Sequence, residues 1–211
     1  MQLRFETELS FEQYVSQRAW ETATLAACPL CAPGSCRFRR LGTYMRKVPS
    51  VAFVARFYCP DQRTTFGVLP DFYASRMPGT LDAIEDAAAY AEMAPSRAKA
   101  ADDLRPADRQ DAVTLDAAVA WLERRITLVR ATLVAVLGLF PERFAGCAPR
   151  VSAFRARLDT MHVMVALRGI CEPHLHALPR PVGLLRRWIA REGGSEGHEQ
   201  SMGPDPPDDG R

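Results

Sequence analysis

Four of the six cysteines in this chain fall between Cys28 and Cys59, and their spacing constrains the fold more than any other feature. The opening residues MQLRFETELSFEQ mix polar and acidic side chains and carry no apolar run of the kind that directs export. An intracellular, reducing compartment is therefore expected, and there clustered cysteines point to a metal site rather than a disulfide framework. Cys28-Pro-Leu-Cys31 has the form of a CxxC turn, and Cys59-Pro-Asp-Gln62 repeats that form with glutamine at the last position. Two such turns at the ends of strands aim thiolates at one tetrahedral zinc ion, about 2.3 Å from each sulfur. The metal then supplies stability that so small a core lacks. Cys28, Cys31 and Cys59 are the expected ligands. The fourth position is open: Cys36 can take it, or Asp61 or water can complete a weaker site. In the competing reading Cys36 is simply a small buried side chain, and apolar packing holds the strands without a metal.

The residues around the cysteines read as strands. Arg37 to Leu41 leading into Gly42-Thr43-Tyr44, then Val51 to Tyr58, then Thr64 to Leu69, are short runs of β-branched and aromatic residues. Turn formers at Pro49-Ser50 and Pro60-Asp61 separate them, which predicts three antiparallel strands. Residues 1–27 read as a lead-in with at most a short helix.

Beyond Pro78-Gly79 the period becomes helical. Leu81, Ile84, Ala88 and Ala91 predict a helix that Pro95 ends, and residues 95–111 read as a charged linker. Thr114 is a suitable N-cap for a long helix with apolar positions at Leu115, Val119, Leu122, Ile126, Val129, Leu133, Val136 and Phe140. That stripe suits either a core face or the seam of a homodimer through residues 114–140. A further helix is expected after Pro149, with Val151, Phe154, Leu158, Met161 and Val165 on one face, packed antiparallel to the long one. A short helix over Val182 to Arg191 and a disordered tail over 192–211 complete the reading. The fold class is α+β: a three-stranded zinc-ribbon-like module over 28–80, a helix and linker over 81–111, and an α-helical bundle over 112–191. The longest apolar stretch, Ile126 to Phe140, contains Arg130 and is too short to span a bilayer, so no membrane association is expected and the cytoplasm is the expected location.

Charge is distributed in blocks. Residues 28–80 carry +6 and residues 112–191 carry +7, against a net +2 for the whole chain. Arg37, Arg39, Arg40, Arg46, Lys47, Arg56 and Arg63 lie on or beside the expected strands, interleaved with Phe38, Tyr44, Phe57 and Tyr58. Such residues suit phosphate contacts with salt-dependent, weakly sequence-specific affinity. They equally suit a solvated surface. Arg124, Arg125, Arg155, Arg157, Arg186 and Arg187 form a second basic set on helices, where a polar face opposite the apolar stripes accounts for them.

Taken together, Cys28-Pro-Leu-Cys31, Arg40-Leu-Gly-Thr-Tyr-Met-Arg-Lys47, Arg56-Phe-Tyr-Cys-Pro60 and Thr64-Thr-Phe-Gly-Val-Leu-Pro-Asp-Phe72 resemble the N-terminal zinc-ribbon region of insertion-sequence transposases and related small mobile-element proteins. That family carries a CPxC, RxGxYxRK, RYxCPxCxxTFSxLP pattern followed by a helical segment. The likeness covers about residues 25–80, and more loosely 110–190, including Leu178-Pro-Arg-Pro-Val-Gly-Leu184. It implies DNA binding in a mobile-element context. The chain departs from the pattern at Gln62, where the family has its last cysteine.

No enzyme signature accompanies these features. There is no Gly-rich phosphate loop, G-x-S-x-G or H-E-x-x-H, and no strand-rich region after residue 80 to carry a carboxylate triad for metal-assisted strand transfer. No small-molecule substrate is evident. Cys171-Glu-Pro-His174-Leu-His176 matches no standard ligand spacing and reads as a structural turn. The expectation is a non-catalytic, zinc-containing DNA-binding protein. The alternative is a protein-interaction or scaffold module whose degenerate ribbon is purely structural.

Overall fold

The computed structural model describes residues 1–49, 51–105 and 113–184. It is a mixed α+β fold in which a four-stranded sheet, in the order β1-β4-β3-β2, packs against helices. The strands are β1 (Gln2–Phe5), β2 (Arg39–Met45), β3 (Phe53–Cys59) and β4 (Thr64–Pro70). The helices are α1 (Phe11–Ser16), α2 (Leu81–Met93), α3 (Arg97–Asp103), α4 (Leu115–Leu139), α5 (Val151–Leu158) and α6 (Val163–Ile170).

The three expected strands form the antiparallel part of the sheet, with Ala55 opposite Val68 and Phe57 opposite Phe66. The fourth strand corrects the reading of residues 1–27. Gln2 to Phe5 run parallel to β4, with Leu3 beside Val68. Four residues are too few to show an alternation, and the pairing partner lies more than 60 residues away, so local pattern could not reveal it. α1 is set by a capping box in which Ser10 accepts from the Gln13 amide and the Gln13 side chain accepts from the Ser10 amide.

The sheet has two unlike faces. One carries Leu3, Ala55, Phe57, Cys59, Phe66 and Val68 and is covered by residues 23–38, with Phe38 stacked on Phe57 at 5.5 Å. The other contributes Val54 and Leu69 to a larger core shared with α1, α2, α4, α5 and α6. One face of the sheet and the helices therefore share a core.

Among the helices, Thr114 caps α4 through the Ala117 amide, as its sequence position suggested. α2 begins behind Thr80 and stops before Pro95, where Ala94 is already extended. Two expectations change. Residues 97–103 form α3, capped by Ser96, where a linker was expected; Ala100 and Ala101 are fully buried against α2 and α4. The helix expected from 149 to 165 is two helices, divided where Asp159 turns left-handed at φ 50°. Glu85 on α2 accepts the Met164 amide at 2.8 Å and so fixes the start of α6. α4 packs chiefly on α2 and α3 rather than on α5. Residues 182–184 are not helical, and the rest of the helix expected to Arg191, with the tail, lies outside the described residues, as do Ser50 and 106–112.

Candidate metal centre

Three of the four sulfurs come from the segment lying across the sheet, and the fourth comes from the sheet itself. Cys59 is the last residue of β3 and points to the covered face with Phe57 and Ala55. Cys28 and Cys31 sit on the CxxC turn. The chain then reverses at Ala32–Ser35, where the Ser35 amide and hydroxyl both bond to the Ala32 carbonyl and Gly34 adopts φ 74°. That reversal returns Cys36 to the other thiols. The ligand atoms of Cys28, Cys31, Cys36 and Cys59 all lie within 4.8 Å of one another, close enough to hold a metal ion. The Cys31 and Cys59 sulfurs are 3.7 Å apart. A tetrahedron of sulfurs each 2.3 Å from zinc has edges of about 3.8 Å. The donor set therefore fits a four-thiolate ion.

The turn after Cys59 explains what Gln62 does. Its amide donates to the Cys59 sulfur at 3.4 Å, and the Arg63 amide and Thr64 hydroxyl close the turn on the Pro60 and Gln62 carbonyls. Gln62 and Asp61 are exposed, and the thiol missing from this turn is replaced by Cys36 from the other side of the site. Electrostatics distinguish the thiols. Burial pushes Cys31 up to about 12, reinforced by the thiols of Cys59, Cys28 and Cys36. Burial likewise raises Cys36. At Cys59 burial acts upward too, but the Gln62 amide and the three neighbouring thiols outweigh it and its pKa falls below the ordinary value. A cation held among these sulfurs would favour ionisation of the thiols.

The seven basic residues expected to meet DNA fall into two groups. Arg40 donates to the carbonyls of Trp20, Glu21 and Ala23, tying the entry of the covering segment to β2. Arg46 donates to the carbonyls of Ala74 and Met77 and lies 4.9 Å over the Tyr73 ring. Both hold the fold. Arg37, Arg39, Lys47 and Arg63 are exposed and Arg56 is half-buried; among the described residues the side chains of these five have no hydrogen-bond or ion-pair partner. Three of the helical basic set are bound within the protein: Arg125 lies 3.6 Å over Trp121, Arg155 bridges Glu85 and Asp86, and Arg157 binds the Arg143 carbonyl, while Arg124 is exposed and its side chain has no partner among the described residues. Arg186 and Arg187 are outside the described residues. The 171–176 segment is a short 3-10 turn with His174 edge-on to Phe140.

Pattern reading missed Arg168. It is fully buried in α6 and donates to the carbonyls of Pro70, Asp71, Tyr73, Pro181 and Val182. No protein-family model, curated protein or solved structure matches this chain.

Proposed function

We propose that this protein is a non-catalytic DNA-binding protein in which a structural zinc ion, held by Cys28, Cys31, Cys36 and Cys59, fastens residues 23–38 to the sheet. The observation that carries the metal is the convergence of four thiols at zinc–thiolate spacing from two separate parts of the chain. A closed set of four sulfurs leaves no open position for substrate, which is the arrangement of a structural rather than a catalytic ion. The DNA reading is supported by the unpartnered basic side chains around the site and by the likeness to transposon zinc ribbons.

Metal analysis of purified protein tests the first part: one equivalent of zinc is expected, lost in Cys36→Ser and Cys59→Ser, and a metal-free wild type would refute it. DNA binding is tested by the salt dependence of affinity. Neutralising Arg37, Arg39, Arg56 and Arg63 together should weaken binding while leaving the folded state intact. Arg40 and Arg46 are unsuitable for that test because their loss would disturb the fold. Failure of the wild type to bind DNA even at low salt removes the DNA reading.

One observation favours the scaffold reading instead. β2 is an edge strand, and Leu41, Met45, Val48 and Val51 expose apolar surface along it and the following turn. A protein partner retained by the four-arginine variant but lost in Leu41→Glu/Met45→Glu would support that reading.

A further inference from the structure

The sheet face opposite the cysteines is only partly covered. Register places Arg39, Tyr58 and Thr65 side by side in one row across β2, β3 and β4. The next row holds Gly42, Arg56, Gly67 and Gln2. Only the third row, with Val54 and Leu69, is sealed by the main core. A bulge between Arg40 and Gly42 produces this pattern: it leaves Arg39, Gly42 and Tyr44 on the open side while Arg40 turns to the covered side. Gly67 has no side chain, and the Tyr44 ring lies across it, 3.3 Å from where a Cβ would sit. Thus Tyr58, Arg39 and Arg56 share the first two rows with no acidic residue among them, and Tyr44 reaches over Gly67 from the third row. Neither arginine side chain has a partner among the described residues.

We propose that this corner binds single-stranded DNA, with a base stacked on Tyr58 and flanking phosphates on Arg39 and Arg56. The inference rests on the DNA-binding reading above and specifies the form of DNA. A ring lying on a sheet can be reached only by a base released from its own stack, which a duplex does not offer. Three strands span about 10 Å, room for one or two bases. The exposed Arg39 and the half-buried Arg56 beside the ring supply the complementary charge.

The test uses the full-length, zinc-loaded protein, a labelled oligothymidylate of about 20 nucleotides, a duplex of equal length and an oligouridylate. The single strand should bind more tightly than the duplex and compete with it. Tyr58→Ala should weaken binding by about tenfold and Tyr58→Phe by less than about twofold, since stacking needs only the ring. Arg39→Ala/Arg56→Ala should lower the salt slope by about 1.4. Photocrosslinking wild type to a bromodeoxyuridine-substituted strand should label the peptide between Arg56 and Arg63, which keeps the test valid if a variant misfolds. Duplex binding that the single strand does not displace, a crosslink elsewhere, or an oligouridylate bound more than tenfold more tightly than oligothymidylate overturns the proposal and leaves the broader reading standing. Absence of binding to both DNA forms overturns both.

Discussion

Arg168 shows how much one side chain can hold. Its five carbonyl acceptors belong to the end of β4 and the loop leaving it and to residues 181–182, so one guanidinium joins α6 to the sheet and to two irregular segments. Burial lowers its pKa to about 10, which leaves it charged at neutral pH. Arg168→Met would leave those carbonyls without their donor in a dry interior and should destabilise the protein by at least about 3 kcal/mol. Urea unfolding measures this; a loss under about 1 kcal/mol would show that water or rearrangement replaces the donors. His162 offers a contrast at the surface. The Asp82 carboxylate, 3.0 Å from Nδ1, raises the imidazole pKa. Because the folded pKa is the higher one, the stabilisation is complete below the ordinary imidazole value and disappears as pH rises through the folded value. Both side chains are substantially exposed, so His162→Ala should cost no more than about 0.5 kcal/mol near pH 5.5 and nothing near pH 8.5. Equal losses at both pH values would assign the effect to packing.

At the scale of elements, α4 was the most legible part of the chain and β1 the least. The four-three spacing from Leu115 to Phe140 and the Thr114 cap are local signals, and they were sufficient for α4. What spacing could not say is where the stripe would be buried. Leu122, Val129, Leu133 and Val136 are inside the chain's own core, whereas Val134 on the opposite side is 51% exposed. Leu133→Ala should therefore destabilise by about 2–5 kcal/mol and Val134→Ala by less than about 0.5 kcal/mol. Thermal or chemical unfolding of the two variants checks this, and similar losses in both would mean that Val134 is covered in solution. The division of α5 from α6 was hidden for a related reason. Met161 and Val165 keep helical spacing with Phe154, yet Glu85, on a helix far away in sequence, draws the Met164 amide into a new helical start.

For the whole molecule, the two sides of the sheet differ in what stabilises them. The face toward the helices is closed by a large apolar core, while the face under residues 23–38 has a smaller one that the cysteines edge. Removal of a metal held by the four thiols, as proposed above, should thus release the covering segment and leave the helices and the main core folded. In hydrogen exchange after chelation, amides of residues 24–38 and the end of β3 should lose protection, while those of α4 and α6 keep theirs. Global unfolding on chelation would instead make the metal a condition of the entire fold, and unchanged protection would remove it from the structure altogether.

Local chemistry alone determined the cysteine turns, the three antiparallel strands, the Thr114 and Pro95 boundaries and the α+β class, because each depends on residues within a few positions of one another. The tertiary structure decided what depends on distant partners. It brought Cys36 to Cys59, although Gln62 occupies the position next in sequence. It paired Gln2–Phe5 with β4, and it separated Arg40 and Arg46, which bind carbonyls, from Arg39 and Arg56, which do not. An arginine's sequence neighbours give its charge; only the carbonyls that the fold places around it decide whether that charge is left for a ligand.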